Sequence, residues 1–218
     1  MKLLVTRPEP GTTATAARLR ALGHEPVLLP CLNITPLTVH LPARPTALVV
    51  TSGQAVAALP ESLRNIPAFC VGDATADRLR LAGFTRVESA GGNADDLAKL
   101  VLARRLAGLH LLAVGERQGM ALEKRLRGAG VSVVRRKVYR AAPLRALPAG
   151  FSLDGVAGAL FYSAETARAF VKLAPPGTAA LTAYALSNTV AAALAPLPWA
   201  QIRAALAPTE ADLMALLP

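Results

Sequence analysis

Small polar residues and glycines recur where short hydrophobic runs of the sequence end. These runs predict strands, and a turn after a strand can present backbone N–H groups and the positive end of the next helix to an anion. Such turns could bind carboxylates or phosphates. Ser, Thr and Asn at these positions are equally suited to cap their own helices, so only the number of matching turns argues for a site. The turns are Thr6–Arg7, Thr51–Gly53, Gly72–Asp73, Gly91–Asn93, Gly115, Tyr162–Ser163 and Ser187–Thr189.

Tyr139 is one of only three tyrosines, and it follows the basic run Arg135–Lys137 in a segment that we expect to connect two domains. If that segment lines a cleft between the domains, the phenol is a candidate hydrogen-bond donor or general acid. The alternative interpretation is an aromatic residue that pairs within a sheet.

Other common catalytic patterns do not occur in the sequence. Neither GxGxxG nor GxxxxGK[ST] is present, which counts against dinucleotide and P-loop sites, and neither GxSxG nor HExxH is present. His24, His40 and His110 lie in unlike contexts, and we interpret them as structural or surface residues. The sequence therefore predicts no metal site, and catalysis would depend on positioning, hydrogen bonds and basic side chains.

Short aliphatic runs alternate with amphipathic stretches, which predicts parallel sheets built from right-handed βαβ units. Two extended stretches, Pro26–Val39 and Ser132–Arg140, interrupt the alternation and predict paired connectors. Strands are expected at Leu3–Val5, Ala47–Val50, Phe69–Val71, Val87–Ser89 and Leu109–Val114, and helices at Thr12–Leu22, through Val56 and Leu59, and at Ala74–Leu81, about Asn93–Leu106 and Met120–Arg127.

The second half of the sequence repeats the first, which indicates a duplication. ALVVTSGQAV corresponds to ALFYSAETAR, CVGDATADRL to YALSNTVAAA, NADDLAKL to EADLMALL, and LLVTRPEPG to LLAVGERQG. In the outer copy the LLVTRPEPG element comes first and the other three come last, so the inner copy is inserted into it. We expect a split domain 1 at 1–34 plus 142–218, an inserted domain 2 at 40–131, and connector strands at 35–39 and 132–141.

The formal net charge is +10, which suggests an anionic partner. The basic residues are scattered and carry few neighbouring aromatics, unlike those of most nucleic-acid-binding proteins. Cys31 and Cys70 have no partner at metal-ligand spacing and are interpreted as buried free thiols of a reducing compartment. No signal peptide or membrane span is apparent. We expect a cytoplasmic protein that binds neither nucleic acid nor membranes.

The chain resembles the uroporphyrinogen-III synthase family over essentially its whole length. The resemblance is carried, in order, by LLVTRPEP, VVTSGQAV, CVGDATADRLRLAGF, GGNADDLAKLV, LLAVGERQG, LRGAGVSVVRRKVYRA and ALFYSAETARAF. It implies two flavodoxin-like α/β domains joined by a two-stranded connector. It also implies cofactor-independent, dehydrating cyclisation of hydroxymethylbilane, with inversion of the terminal pyrrole ring through a spiro intermediate.

The resemblance also implies roles for particular residues. Tyr139, in KVYRA, matches the connector tyrosine of the family and would assist departure of the substrate hydroxyl. Arg7 would face a substrate carboxylate. The other matched positions are expected to bind substrate, and they are Thr51, Ser52, Gly72, Thr75, Asn93, Ser163 and Thr189. We expect a monomer that makes at most transient contact with the preceding enzyme of the pathway.

Leu186 departs from the family pattern. It stands in ALSNT where family members commonly carry a glycine-containing turn of the IGxxT kind, so close approach of a ligand to the backbone is in question there. This departure favours the alternative hypothesis, a non-catalytic regulatory relative that binds a tetrapyrrole or another anion.

Overall fold

A computed structural model describes all 218 residues of the chain. The chain divides into two compact units, Met1–Asn33 with Ala142–Pro218 (unit 1) and Ile34–Ala141 (unit 2). Each unit contains one sheet, and its strand pairs are parallel except for Leu32–Pro36 beside Val133–Pro143. That pair is antiparallel, because the Leu37 N–H bonds to the Val138 carbonyl and the Leu144 N–H to the Cys31 carbonyl. The α/β class with parallel sheets is therefore confirmed. None of the helices combines the length and the hydrophobicity that crossing a membrane requires.

The strands are β1 (Lys2–Val5), β2 (Glu25–Leu28), β3 (Leu32–Pro36), β4 (Ala47–Val50), β5 (Ala68–Cys70), β6 (Val87–Ser89), β7 (His110–Gly115), β8 (Val133–Pro143), β9 (Val156–Phe161), β10 (Thr182–Ala185) and β11 (Gln201–Ala204). The α-helices are α1 (Gly11–Ala21), α2 (Asp73–Leu81), α3 (Ala94–Arg104), α4 (Met120–Gly128), α5 (Ala164–Leu173), α6 (Asn188–Leu194) and α7 (Glu210–Met214). Short 3-10 helices lie at Gly53–Ala58, Glu61–Leu63 and Thr178–Ala180.

The two sheets have matching strand orders. Unit 1 has the order β11-β10-β9-β1-β2, and unit 2 has the order β6-β5-β4-β7-β8 with β3 added beside β8. The sequence repeat pairs β1 with β7, β9 with β4 and β10 with β5, so equivalent strands occupy equivalent places. Duplication of one whole α/β domain accounts for this order, because both copies inherit the same hydrophobic pattern and the same connections between strands.

The unit 2 sheet is covered on both faces. All four residues of β4 are fully buried, and Leu48 and Val50 pack in a different cluster from Ala47 and Val49. Alternate residues of a strand point to opposite faces, so helices α3 and α4 cover one face while α2 and the Gly53–Ala58 helix cover the other. A strand buried on both faces is hydrophobic throughout, as ALVV is.

Unit 1 joins distant parts of the sequence in one sheet. β1 pairs with β2 on one side and with β9 on the other, with Leu4 opposite both Val27 and Ala159. Leu3, Val5, Leu160 and Leu213 pack on one another, which brings helix α7 against the N-terminal strand. The N-terminal segment is therefore a central part of this unit, because its strand lies inside the sheet.

Two local expectations are wrong in detail. The helix expected through Val56 and Leu59 is a 3-10 helix that stops at Ala58, since the residue before Pro60 is driven to an extended conformation. The extended stretch Pro26–Val39 is not one connector but two strands, β2 in the unit 1 sheet and β3 in the unit 2 sheet. Pro30 lies between them, where its lack of an N–H interrupts pairing.

Candidate functional site

The turns that follow the parallel strands gather at one edge of each sheet, because the carboxyl ends of parallel strands lie on the same side. In unit 2 this edge carries the turns after β4, β5, β6 and β7. In unit 1 it carries the turns after β1, β9, β10 and β11. The edge is the usual ligand-binding region of open α/β sheets, and all of the residues proposed from the sequence except Tyr139 come from turns or helix starts there.

Three of these residues cap their own helices. The Ser52 hydroxyl accepts a hydrogen bond from the N–H of Gln54 at 3.3 Å, and the Ser163 hydroxyl accepts one from Thr166 at 3.1 Å. Asn93 forms a capping box with Asp96 at the start of α3. These side chains are used to cap and orient the first helical turns. An anion at these positions would therefore bind to the remaining backbone N–H groups of those turns.

Gly72 and Thr189 mark equivalent turns that differ between the units. Gly72 precedes α2 in an extended conformation, and a Cβ placed on it would meet no atom within 4 Å. Thr75 follows in the first turn, its N–H bonded to the Gly72 carbonyl at 3.0 Å. In unit 1 the capping residue is Ser187, Thr189 is exposed, and the side chain of Leu186 packs against the core. Leu186 therefore has a packing role in place of the glycine.

Thr51 has an unusual hydroxyl group. Its Oγ1 is buried and has no hydrogen-bond partner, the only such side-chain atom found in the chain. An unpaired hydroxyl away from water costs about 1–3 kcal/mol. The atom lies directly after the buried strand β4, at the edge described above, where a ligand could pair it.

Tyr139 lies in β8 opposite Gly115 of β7, and its side chain is only 2% exposed. The end of the ring lies over Gly115, since a Cβ on that glycine would fall 2.8 Å from Tyr139 Cζ and 2.9 Å from the hydroxyl oxygen. The hydroxyl donates a hydrogen bond to Oε1 of Gln118 at 3.0 Å. The phenol is thus held at the turn that follows β7.

The turn 116–119 is itself fixed by strand β8. The Glu116 N–H bonds to the Tyr139 carbonyl at 3.0 Å, and Arg135 donates to the Gln118 carbonyl at 3.1 Å. The same Arg135 pairs with Glu123 at 2.9 Å, and both side chains are about one-fifth exposed. Sequence reasoning singled out only Gly115 of this turn, because Gln118 lies in LLAVGERQG without a spacing that links it to Tyr139, 21 residues further on.

Three cations surround a single carboxylate beside Tyr139. Arg140 makes two hydrogen bonds to Glu116, at 3.0 and 3.1 Å. Those hydrogen bonds, and the nearby charges of Arg140, Lys137 and Arg117, lower the pKa of Glu116. Lys137, Arg140 and Arg117 are all exposed, so the surface around Glu116 carries a net positive charge, and the Glu116 N–H is itself bonded to the Tyr139 carbonyl.

Arg7 is already occupied by groups of its own unit. Its guanidinium lies 3.9 Å from the centre of the Tyr162 ring and reaches Thr15 at 3.1 Å and Glu210 at 3.4 Å. Nothing in the sequence marks Glu210 as a partner, since 203 residues separate it from Arg7. Glu210 opens helix α7, where the positive end of the helix dipole stabilises an acidic side chain whether or not it pairs with Arg7.

Comparison with known proteins gives one family and several related folds. A family model described as "Uroporphyrinogen-III synthase HemD" matches residues 13–215. A uroporphyrinogen-III synthetase structure from Helicobacter pylori is 20% identical with a TM-score of 0.67, covering 99% of this chain and 98% of that chain. A mutant synthase from the extremely thermophilic bacterium Thermus thermophilus is 17% identical with a TM-score of 0.53, covering 99% and 96%. No curated protein matches the chain significantly.

Proposed function

The chain belongs to the uroporphyrinogen-III synthase family and is an enzyme of tetrapyrrole biosynthesis, and we propose that it cyclises hydroxymethylbilane to uroporphyrinogen III as a cofactor-independent lyase. The terminal hydroxyl of the substrate leaves as water and forms an azafulvene. The opposite end of the linear tetrapyrrole attacks this azafulvene, and the terminal pyrrole ring is inverted through a spiro intermediate.

The observation that carries the catalytic part of the proposal is the fixed phenol of Tyr139. Loss of the substrate hydroxyl requires a proton at that oxygen, and a phenol within hydrogen-bond reach can supply it or stabilise the departing water. The ring over Gly115 and the hydrogen bond to Gln118 hold the hydroxyl in one place. A reactive azafulvene also benefits from a group shielded from bulk water, as Tyr139 is.

The polyanionic substrate suits the surroundings of this phenol. Hydroxymethylbilane carries acetate and propionate groups, and Arg117, Lys137 and Arg140 give the adjacent surface a positive charge that Glu116 only partly neutralises. The unpaired Thr51 hydroxyl, the turn at Gly72 and the start of α3 at Asn93 supply further groups at the same edge of unit 2. We propose that these residues bind and orient the substrate, while Thr75, Ser163 and Thr189 contribute through helix starts.

Substitution of Tyr139 by Phe tests the catalytic role. We expect the rate of type III product formation to fall by about 10²–10⁴, the usual contribution of a positioned acid. The free energy of unfolding should change by about 1 kcal/mol, the value of one hydrogen bond. Tyr184→Phe is the matched control, because Tyr184 is similarly buried but belongs to the core of unit 1.

The assay couples the protein to hydroxymethylbilane production, oxidises the product and separates the isomers. If only the type I isomer forms, as in the enzyme-free reaction, the proposed function is wrong. If wild type gives type III product and Tyr139→Phe gives it equally fast, Tyr139 is a packing residue. The predicted monomeric state, cytoplasmic location and transient contact with the preceding enzyme stay predictions.

A further inference from the structure

Four side chains of unit 1 converge on the carboxylate of Glu210. Oε1 accepts hydrogen bonds from Tyr162 at 2.9 Å, Thr15 at 3.3 Å and Arg7 at 3.4 Å. Oε2 lies 3.0 Å from Arg18. We call Arg7, Thr15 and Tyr162 the carboxylate cradle, because all three donate to the same oxygen.

The charges of the cradle require an anion. Arg7 is 19% exposed and stacks on the Tyr162 ring, so its charge would be poorly hydrated without a carboxylate beside it. Burial, and to a lesser extent the negative charge of Glu210, raise the pKa of Tyr162, which keeps the phenol protonated and therefore a donor. With Arg18 included, two cations face one carboxylate.

The cradle and its occupant come from different kinds of element. Arg7 follows β1 and Tyr162 follows β9, two adjacent central strands, while Thr15 lies on α1 and is buried. Glu210 opens α7, a helix of only five residues near the end of the chain, and its side chain is 35% exposed. Two of its three contacts on Oε1 are longer than an ideal hydrogen bond. The donors thus lie just beyond two central strands and on the first helix, and the acceptor is on a short element at the surface.

We propose that the cradle is a carboxylate-binding subsite, which Glu210 occupies as an internal ligand and which one acetate or propionate group of the substrate takes over. The exchange replaces one carboxylate by another, so no cation is left unpaired and the desolvation cost of Arg7 does not recur. Release of Glu210 exposes its charge to water, which its position on α7 allows. The identity of the incoming group rests on the proposed function; the existence of the subsite does not.

The direct test uses Glu210→Ala and sodium propionate. If the cradle is a carboxylate site, the emptied site binds propionate, and the thermal midpoint of the variant rises with propionate concentration as mass action requires. Sodium chloride at equal ionic strength should not reproduce the rise, and wild type should not show it. Asp212→Ala is the matched control, because Asp212 lies in the same helical turn but bonds only to Thr209.

The second measurement is the KM for hydroxymethylbilane. Removal of the competing carboxylate should lower KM several-fold in Glu210→Ala with little change in kcat, whereas Asp212→Ala should leave both unchanged. Glu210→Gln keeps the size of the side chain but not its charge, and it should also lower KM. It replaces Glu210→Ala in both measurements if the alanine variant does not fold.

The subsite is refuted if neither folded variant is stabilised by propionate more than by chloride; Glu210 is then only a structural partner of Arg7. The propionate measurement needs no turnover, so it is independent of the isomer assay on wild type. A propionate-specific rise with an unchanged or raised KM would overturn the exchange with substrate.

Discussion

Gly115→Ala is the sharpest perturbation of the proposed catalytic tyrosine, because it moves the phenol without removing it. The added Cβ would lie 2.8 Å from Cζ, 2.9 Å from Cε2 and 2.9 Å from the hydroxyl oxygen of Tyr139. Carbon atoms in contact prefer about 3.5–4.0 Å, so the ring must move by about 0.7 Å or more. The hydrogen bond to Gln118, now 3.0 Å, would lengthen or break.

The expected effects on stability and on rate differ in size. Insertion of a methyl group into packed surroundings costs about 1–3 kcal/mol of unfolding free energy. A misplacement of about 1 Å in a catalytic group can cost about 10²-fold in rate, so we expect kcat for type III product to fall by about tenfold to 10²-fold. Urea unfolding followed by circular dichroism and the isomer-resolved assay give the two values.

The control substitution is Gly128→Ala. Gly128 ends helix α4, has an ordinary φ, and a Cβ there would meet no atom within 4 Å. It should leave kcat unchanged and add up to about 1 kcal/mol of stability through helix propensity.

A double variant tests whether Gly115→Ala lowers kcat by displacing the Tyr139 hydroxyl. In the Tyr139→Phe background, Gly115→Ala should lower kcat little further, because the hydroxyl it displaces is already absent. If Gly115→Ala alone leaves kcat at the wild-type value, the position of the phenol does not matter and the reasoning is refuted.

Two further predictions concern titratable groups. Burial raises the pKa of the Cys31 thiol to about 12 and that of Cys70 to about 11, so neither should react with a thiol reagent at about pH 8 until the protein is unfolded in urea; labelling of the native protein would contradict this. The pKa of Glu116 lies below its ordinary 4.5 because Arg140 and nearby cations favour the carboxylate. Its contribution to stability is therefore present above about pH 4.5 and is lost as the pH falls through the lowered pKa. If wild type stays more stable than Glu116→Gln at a pH below that lowered pKa, the prediction is contradicted.

The strands and the helix starts are largely visible in the sequence. Runs such as Ala47–Val50 predict buried strands because both faces of a parallel sheet are covered. The glycines after Leu22, Leu81 and Arg127, at Gly23, Gly83 and Gly128, lie close to where the structure ends these helices. The repeat predicts which strands are equivalent, since duplicated elements keep their hydrophobic patterns over long divergence. The strand and helix-end signals are local, since each is contained within a dozen neighbouring residues, and the repeat is a comparison of two such local stretches.

The candidate site is less visible, because its geometry depends on residues far apart in the chain. The sequence by itself determined that polar turns follow the strands, and that Tyr139 is an unusual residue in an extended segment. Only the tertiary structure decided that Gln118 holds the phenol, that Thr51 keeps an unpaired hydroxyl, and that Glu210 fills the place expected for a ligand of Arg7. Hydrogen bonds and ion pairs of this kind need only compatible side chains at the right distance, so they leave no periodic pattern in the sequence.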